Sequence, residues 1–170
     1  MSECAGAMVE VADTMDLYLS MFERFEKRRG RGAWLLPIRK AAISRFAELG
    51  FPTTDDEEWR YTNVGPIAGT AFEPAPEGAF STEKLRPFLF DGGAAAPRLV
   101  IVNGRFAPKL SSMDALPDGV RLMSLHEAID REDETVRTHL ARHARYEDQA
   151  FTALNTALLD DGAFLEVTRG

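Results

Sequence analysis

Apolar residues recur at helical spacing through the first fifty positions and alternate at strand spacing only later. Leu17, Met21 and Phe25 stand four apart with Tyr18 and Phe22 beside them, which predicts a helix from Asp13 or Thr14 to about Arg29. Lys27-Arg28-Arg29-Gly30 suits its end, because cations complement the last turn and glycine tolerates the exit conformation. A second helix is predicted from Trp34 to Leu49, with Ile38, Ala42, Phe46 and Leu49 inward and Pro37 tolerated in the first turn. The short linker Gly30-Arg31-Gly32 makes the pair a helical hairpin.

The densest local signals lie between Leu49 and Val64. Gly50 can end the helix in a positive-φ conformation, and Pro52 keeps it from resuming. Thr54 then fits an N-cap, with Glu57 three residues on to close a capping box. Asp55 to Glu58 would complement the dipole of a short helix. Trp59, Arg60 and Tyr61 follow, and Trp59 is expected to anchor that helix against the first two.

Beyond Gly65-Pro66 the chain is irregular, with a short helix opened by Ser81 or Thr82 and running to Leu85 before Pro87. Residues 98–102 and 105–108 read as strands joined by Asn103-Gly104, both residues suiting a type I′ hairpin turn. Val120 to Met123 is a third strand, and Ser124 with Glu127 forms a capping box. Helices are predicted from Thr135 to about Ala144 and from Asp148 to Leu158, the latter with Phe151, Leu154 and Leu158 inward. Residues 163–167 begin a last strand, expected to pair with the Leu99–Val102 hairpin or to self-associate. The fold class is α+β: an N-terminal helical hairpin, a small antiparallel β-hairpin, further helices and a final strand. The expected organisation is a mobile tail over 1–12, an α+β domain over 13–150 and the start of a further element over 151–170.

The 170 residues, 45% of them hydrophobic, suffice for one real core. A net charge of −7 removes any global electrostatic case for nucleic acid or an anionic membrane. The single cysteine, Cys4, permits no internal disulfide. No basic leader precedes an apolar stretch, and no apolar run approaches a bilayer-spanning length, so a soluble cytoplasmic protein is expected.

Candidate chemistry is sparse. His139 and His143 are four apart on a predicted helix, and Glu147 would extend the row to a zinc-like set for a metal-dependent hydrolase. Against this, Leu140 stands where metalloproteases carry a glutamate, and Arg142 and Arg145 would repel a cation. Asp55 to Glu58 read better as helix-start complements than as a catalytic carboxylate pair. Arg24, Lys27, Arg28, Arg29 and Arg31 form a basic cluster of the kind a binding module uses, but Phe22 and Phe25 fall on the expected core face rather than forming a stacking platform.

Three segments carry a family resemblance. Gly50-Phe51-Pro52-Thr53-Thr54-Asp55-Asp56-Glu57-Glu58-Trp59-Arg60-Tyr61-Thr62 resembles the N-terminal signature of SufD proteins, subunits of the Suf iron–sulfur cluster assembly scaffold. Leu99 to Phe106 is similar to the family's strand, Asn-Gly turn and return strand. Phe151 to Ala157 with Asp161-Gly162-Ala163-Phe164 looks like the lead into the core shared by SufB and SufD proteins. The resemblance implies a structural signature in Gly50, Pro52, Thr54, Glu57, Trp59, Arg60, Tyr61, Asn103 and Gly104. It also implies that the last strand opens a truncated β-helix. No catalytic, metal-binding or cluster-binding residue of the family falls on these positions. Contacts with SufB-like and SufC-like subunits lie mostly elsewhere in such proteins. Iron–sulfur clusters and ATP are likewise handled by other segments and subunits. What the resemblance leaves to this region is a non-catalytic role in assembly or in docking a sulfur donor.

Overall fold

The computed structural model describes residues 11–28, 32–76, 80–89, 96–113 and 116–168, with only the backbone of 11–13. Most of the expected N-terminal tail, together with Arg29 and Arg31, lies outside the described residues. The chain divides into two units, which the polypeptide visits alternately. One comprises the described parts of Met1–Glu73 with His139–Leu159, and the other those of Pro74–Thr138 with Asp160–Gly170. The stretch 151–170 is thereby shared between the two.

In the first unit, Val11–Arg28 forms α1 and Leu36–Leu49 forms α2, preceded by a 3-10 turn at Ala33–Leu35. Gly32 takes φ 71°, the positive value that suits glycine at the start of that turn. Gly65–Ala68 is α3, one turn long with Pro66 near its start. Ala150–Ala157 is α7 in chain order and packs along α2. Ala42, Ala153 and Ala157 are fully buried, so small side chains fill the seam and the backbones can approach closely. Phe46, Ile43, Tyr18, Met21 and Phe22 complete the core. Tyr18 meets the Phe46 ring edge-on at 5.7 Å, a favoured aromatic geometry. Burial pushes the Tyr18 phenol pKa up.

The inward face of α2 is Arg39, Ala42, Ile43 and Phe46, one residue round from the expected Ile38 face. Arg39 is 2% exposed. Its Nη2 donates to the Leu159 carbonyl at 2.8 Å and its Nη1 to Glu26 Oε1 at 3.3 Å. The guanidinium also lies 5.1 Å from the Phe25 ring centroid. A buried cation is tolerated when its charge and hydrogen bonds are met this way.

The second unit carries shorter elements. Thr82–Leu85 is α4, whose Ser81 cap accepts from the Lys84 N–H. Ile101–Val102 (β1) and Arg105–Phe106 (β2) pair antiparallel. Asn103 and Gly104 both have positive φ, as the hairpin turn requires. The strand expected over 98–102 is shorter, because Arg98 instead bridges to Ser112 and Ser111 Oγ accepts the Val100 N–H. Val120–Ser124 (β3) and Ala163–Val167 (β4) form a five-residue antiparallel ribbon. The last strand therefore pairs with β3, not with the hairpin. The register explains the choice: Leu122 faces Leu165, Val120 faces Val167 and Arg121 faces Glu166.

Leu125–Asp130 (α5) is capped by Ser124 Oγ, which accepts the Glu127 N–H at 3.2 Å. Glu134–His139 (α6) stops five residues short of the expected Ala144. Ala141 has φ 58°, a value that a continuing right-handed helix cannot hold. With these elements the α+β class expected from the sequence stands.

Candidate docking cleft at the signature turn

The signature segment begins where α2 ends. Gly50 takes φ 68° and donates its N–H to the Phe46 carbonyl at 2.9 Å, as expected of a helix-ending glycine. Phe51 then turns inward and meets Tyr18, Phe46 and Phe151 at ring distances of 5.6, 5.2 and 5.8 Å. The aromatic that ties this segment to the first two helices is thus Phe51.

Thr54 is not the expected cap. Asp56 Oδ2 accepts the Thr53 N–H at 2.7 Å and Thr53 Oγ1 accepts the Asp55 N–H at 3.2 Å, a self-contained polar turn. The chain then makes a single 3-10 turn, Glu57–Trp59, with Asp56 at its N-cap position. Asp and Thr close this local turn in place of a longer capped helix. Trp59 rests on Phe151 of α7 at 5.2 Å and is half-buried, a different seat from the one expected against α1 and α2. Arg60 is exposed, and Tyr61 is 94% exposed, so the fold does not use that ring.

Between this turn and the start of α7 lies a cleft of about 360 Å³. Leu49, Gly50, Pro52 and Ala150 supply its apolar surface and Trp59 its aromatic wall. Asp56, Glu57, Glu58 and Asp148 carry its negative charge, and among the described residues no lysine or arginine lines it. Gln149 Nε2 donates to Glu58 Oε2 at 2.8 Å, holding the turn to the helix start.

The other candidates separate. His139 and His143 do come together, with nearly parallel rings 5.8 Å apart. They do so across a turn rather than along one helix, and both are exposed. Among the described residues no three His, Cys, Asp or Glu side chains gather as a metal set. Glu147 offers its backbone carbonyl to Arg45 Nε. Arg24, Lys27 and Arg28 are exposed at the end of α1 while Phe22 is buried and Phe25 half-buried, which is a charged helix end rather than a stacking platform.

Sequence reading missed the polar centre of the second unit. Asp161 Oδ1 accepts from Ser124 Oγ at 2.7 Å, the His126 N–H at 2.9 Å and the Gly162 N–H at 2.8 Å. Its Oδ2 accepts the Phe106 N–H at 2.7 Å. Burial pushes the carboxyl pKa up, but these bonds outweigh it and hold the group below its ordinary value. In the sequence, Asp160-Asp161-Gly162 has only the composition of a turn. A second network joins Arg121 to Glu166 at 2.5 Å and to Asp133 at 3.0 Å. The Thr135 hydroxyl and Arg121 together hold Glu166 below its ordinary pKa. Burial raises Asp133, and the Val136 N–H and Arg121 overcome it, leaving that carboxyl lowered too.

Comparison with known proteins agrees with the family resemblance. The description "SufBD protein N-terminal region" matches residues 12–170. An iron-sulfur cluster assembly SufBD family protein of Synechocystis sp. is 27% identical over 129 residues, 76% of this chain. The aligned part is 28% of that relative, so the chain spans under a third of its length. A match over nearly the whole chain places this protein in the SufBD family, in its N-terminal region.

Proposed function

We propose that this chain serves as the N-terminal domain of a SufD-like subunit of an iron–sulfur cluster assembly scaffold. It acts without catalysis of its own, in the cytoplasm, as a surface that supports assembly or docks a sulfur donor. The family match supports the assembly role. The observation that carries docking is the split within the signature turn: Phe51 and Trp59 pack inward, while Tyr61 is 94% exposed beside exposed Arg60. A large aromatic displayed beside a cation is the kind of group that interfaces use as an anchor. In this reading SufB-like and SufC-like subunits bind other segments of the full protein, and the cluster is cargo handled there.

The test uses the full-length protein with its SufB-like and SufC-like subunits. Deleting residues 1–170 should leave the three-subunit complex intact on gel filtration and slow cluster formation from a sulfur donor. Tyr61→Ala should reproduce part of that slowing. A deletion that abolishes the complex, or leaves cluster formation unchanged, would overturn the docking role.

A further inference from the structure

We propose that the cleft at the signature turn receives an arginine or lysine side chain from an extended segment of a partner protein. This deepens the docking reading above and rests on it. Three properties of the cleft agree on that occupant. Its volume, about 360 Å³, suits one long side chain with part of its backbone. Leu49, Pro52 and Ala150 offer an apolar path for an aliphatic stem. Trp59 presents a half-buried indole, the best aromatic partner for a cation.

Charge then selects the sign of the ligand. Asp56, Glu57, Glu58 and Asp148 surround the space with no lysine or arginine among the described residues that line it, although Asp148 pairs with Arg145 at 3.2 Å. Asp56 and Glu58 are already held by Thr53 and Gln149, so their carboxylates are fixed in place rather than free to collapse into the cleft. A fixed negative rim over an aromatic wall attracts a guanidinium or ammonium and disfavours an acidic segment. The surface is open and continues in sequence to exposed Arg60 and Tyr61, which favours a peptide over a small cation.

The chain has two tryptophans, so Trp59 emission can be followed in a Trp34→Phe background whose melting temperature is unchanged. The probe is an eight-residue Gly/Ser peptide carrying two arginines, with a two-glutamate peptide as its counterpart. The arginine peptide should shift Trp59 emission saturably, with binding weakened by 0.5 M salt. Combining Glu57→Gln with Asp148→Asn should weaken it roughly threefold to tenfold. Glu83→Gln, an exposed acid of the other unit, should leave it unchanged. An equal response to the glutamate peptide, no saturable response, or equal weakening by Glu83→Gln would overturn the proposal. If binding fails while deletion of residues 1–170 still slows cluster formation, this occupant is wrong and the docking reading stands. If binding holds and the deletion has no effect, the cleft takes cations and the docking role falls.

Discussion

The two units of this chain are held by different physics. The first closes on shape: Phe46, Tyr18, Phe51 and three buried alanines fill one core around α2 and α7. The second has short elements tied by charge: one carboxylate at Asp161 collects four hydrogen bonds, and Arg121 joins two more carboxylates. A ribbon of five residues per strand with Leu165 and Val167 largely exposed buries too little to rely on packing alone. Elements this short are held where polar groups converge on them, and such bonds depend on pH in a way that aromatic packing does not.

The largest effect should come from the apolar core. Phe46→Ala removes a fully buried ring and should cost about 3–5 kcal/mol in denaturant unfolding. A loss under about 1 kcal/mol would mean that α2 and α7 are not held by this core. Arg39→Ala follows, since it strands the Leu159 carbonyl and the Glu26 carboxylate. Its cost should fall below the roughly 3–5 kcal/mol of a fully buried pair, because Glu26 keeps some contact with water.

Asp161→Ala should cost about 1–3 kcal/mol at pH 7, as buried donors lose their acceptor. The wild-type advantage should shrink in acid. A carboxyl whose folded pKa is depressed stabilises fully above its unfolded value, near 3.9 for aspartate, and loses that stabilisation as pH falls through the lower folded value. An Asp161→Ala deficit that is the same at pH 7 and pH 2.5 would contradict the hub. Trp59→Ala should cost less than Phe51→Ala, because the half-buried Trp59 ring rests on Phe151 while Phe51 meets three rings. The reverse order would restore Trp59 as the main anchor. Arg145→Ala, which breaks an exposed pair with Asp148, should stay within about 1 kcal/mol.

Helical periodicity and turn chemistry were legible in the chain. Leu-Gly-Phe-Pro marked the end of α2, Asn103-Gly104 the hairpin, and Ser124 the α5 cap. Large apolar residues marked the right side of α7 but not its tightest contacts. Phe151, Leu154 and Leu158 looked like the buried face of α7, yet Ala153 and Ala157 are the residues at zero exposure, because a close helix crossing selects small side chains. Arg39 lies at helical spacing with Ala42 and Phe46, so the stripe was present, but a charged residue is read as solvent-facing until its partners are known. Those partners, Glu26 and Leu159, are 13 and 120 positions away. Asp161 was hidden for the same reason: its donors come from residues up to 55 positions distant. The cleft combines two segments nearly a hundred positions apart, and only the 50–62 half carried a motif.

Amide hydrogen exchange, followed residue by residue at pH 7 and again near pH 3, addresses the contrast between the units most directly. Protection in β3 and β4 should fall in acid, because below the ordinary carboxylate range the unfolded state takes up protons that folded Asp161, Asp133 and Glu166 resist, while amides near Phe46 and Ala153 keep more of theirs. Equal loss in both regions, or none in the ribbon, would contradict a chain held by shape in one unit and by charge in the other.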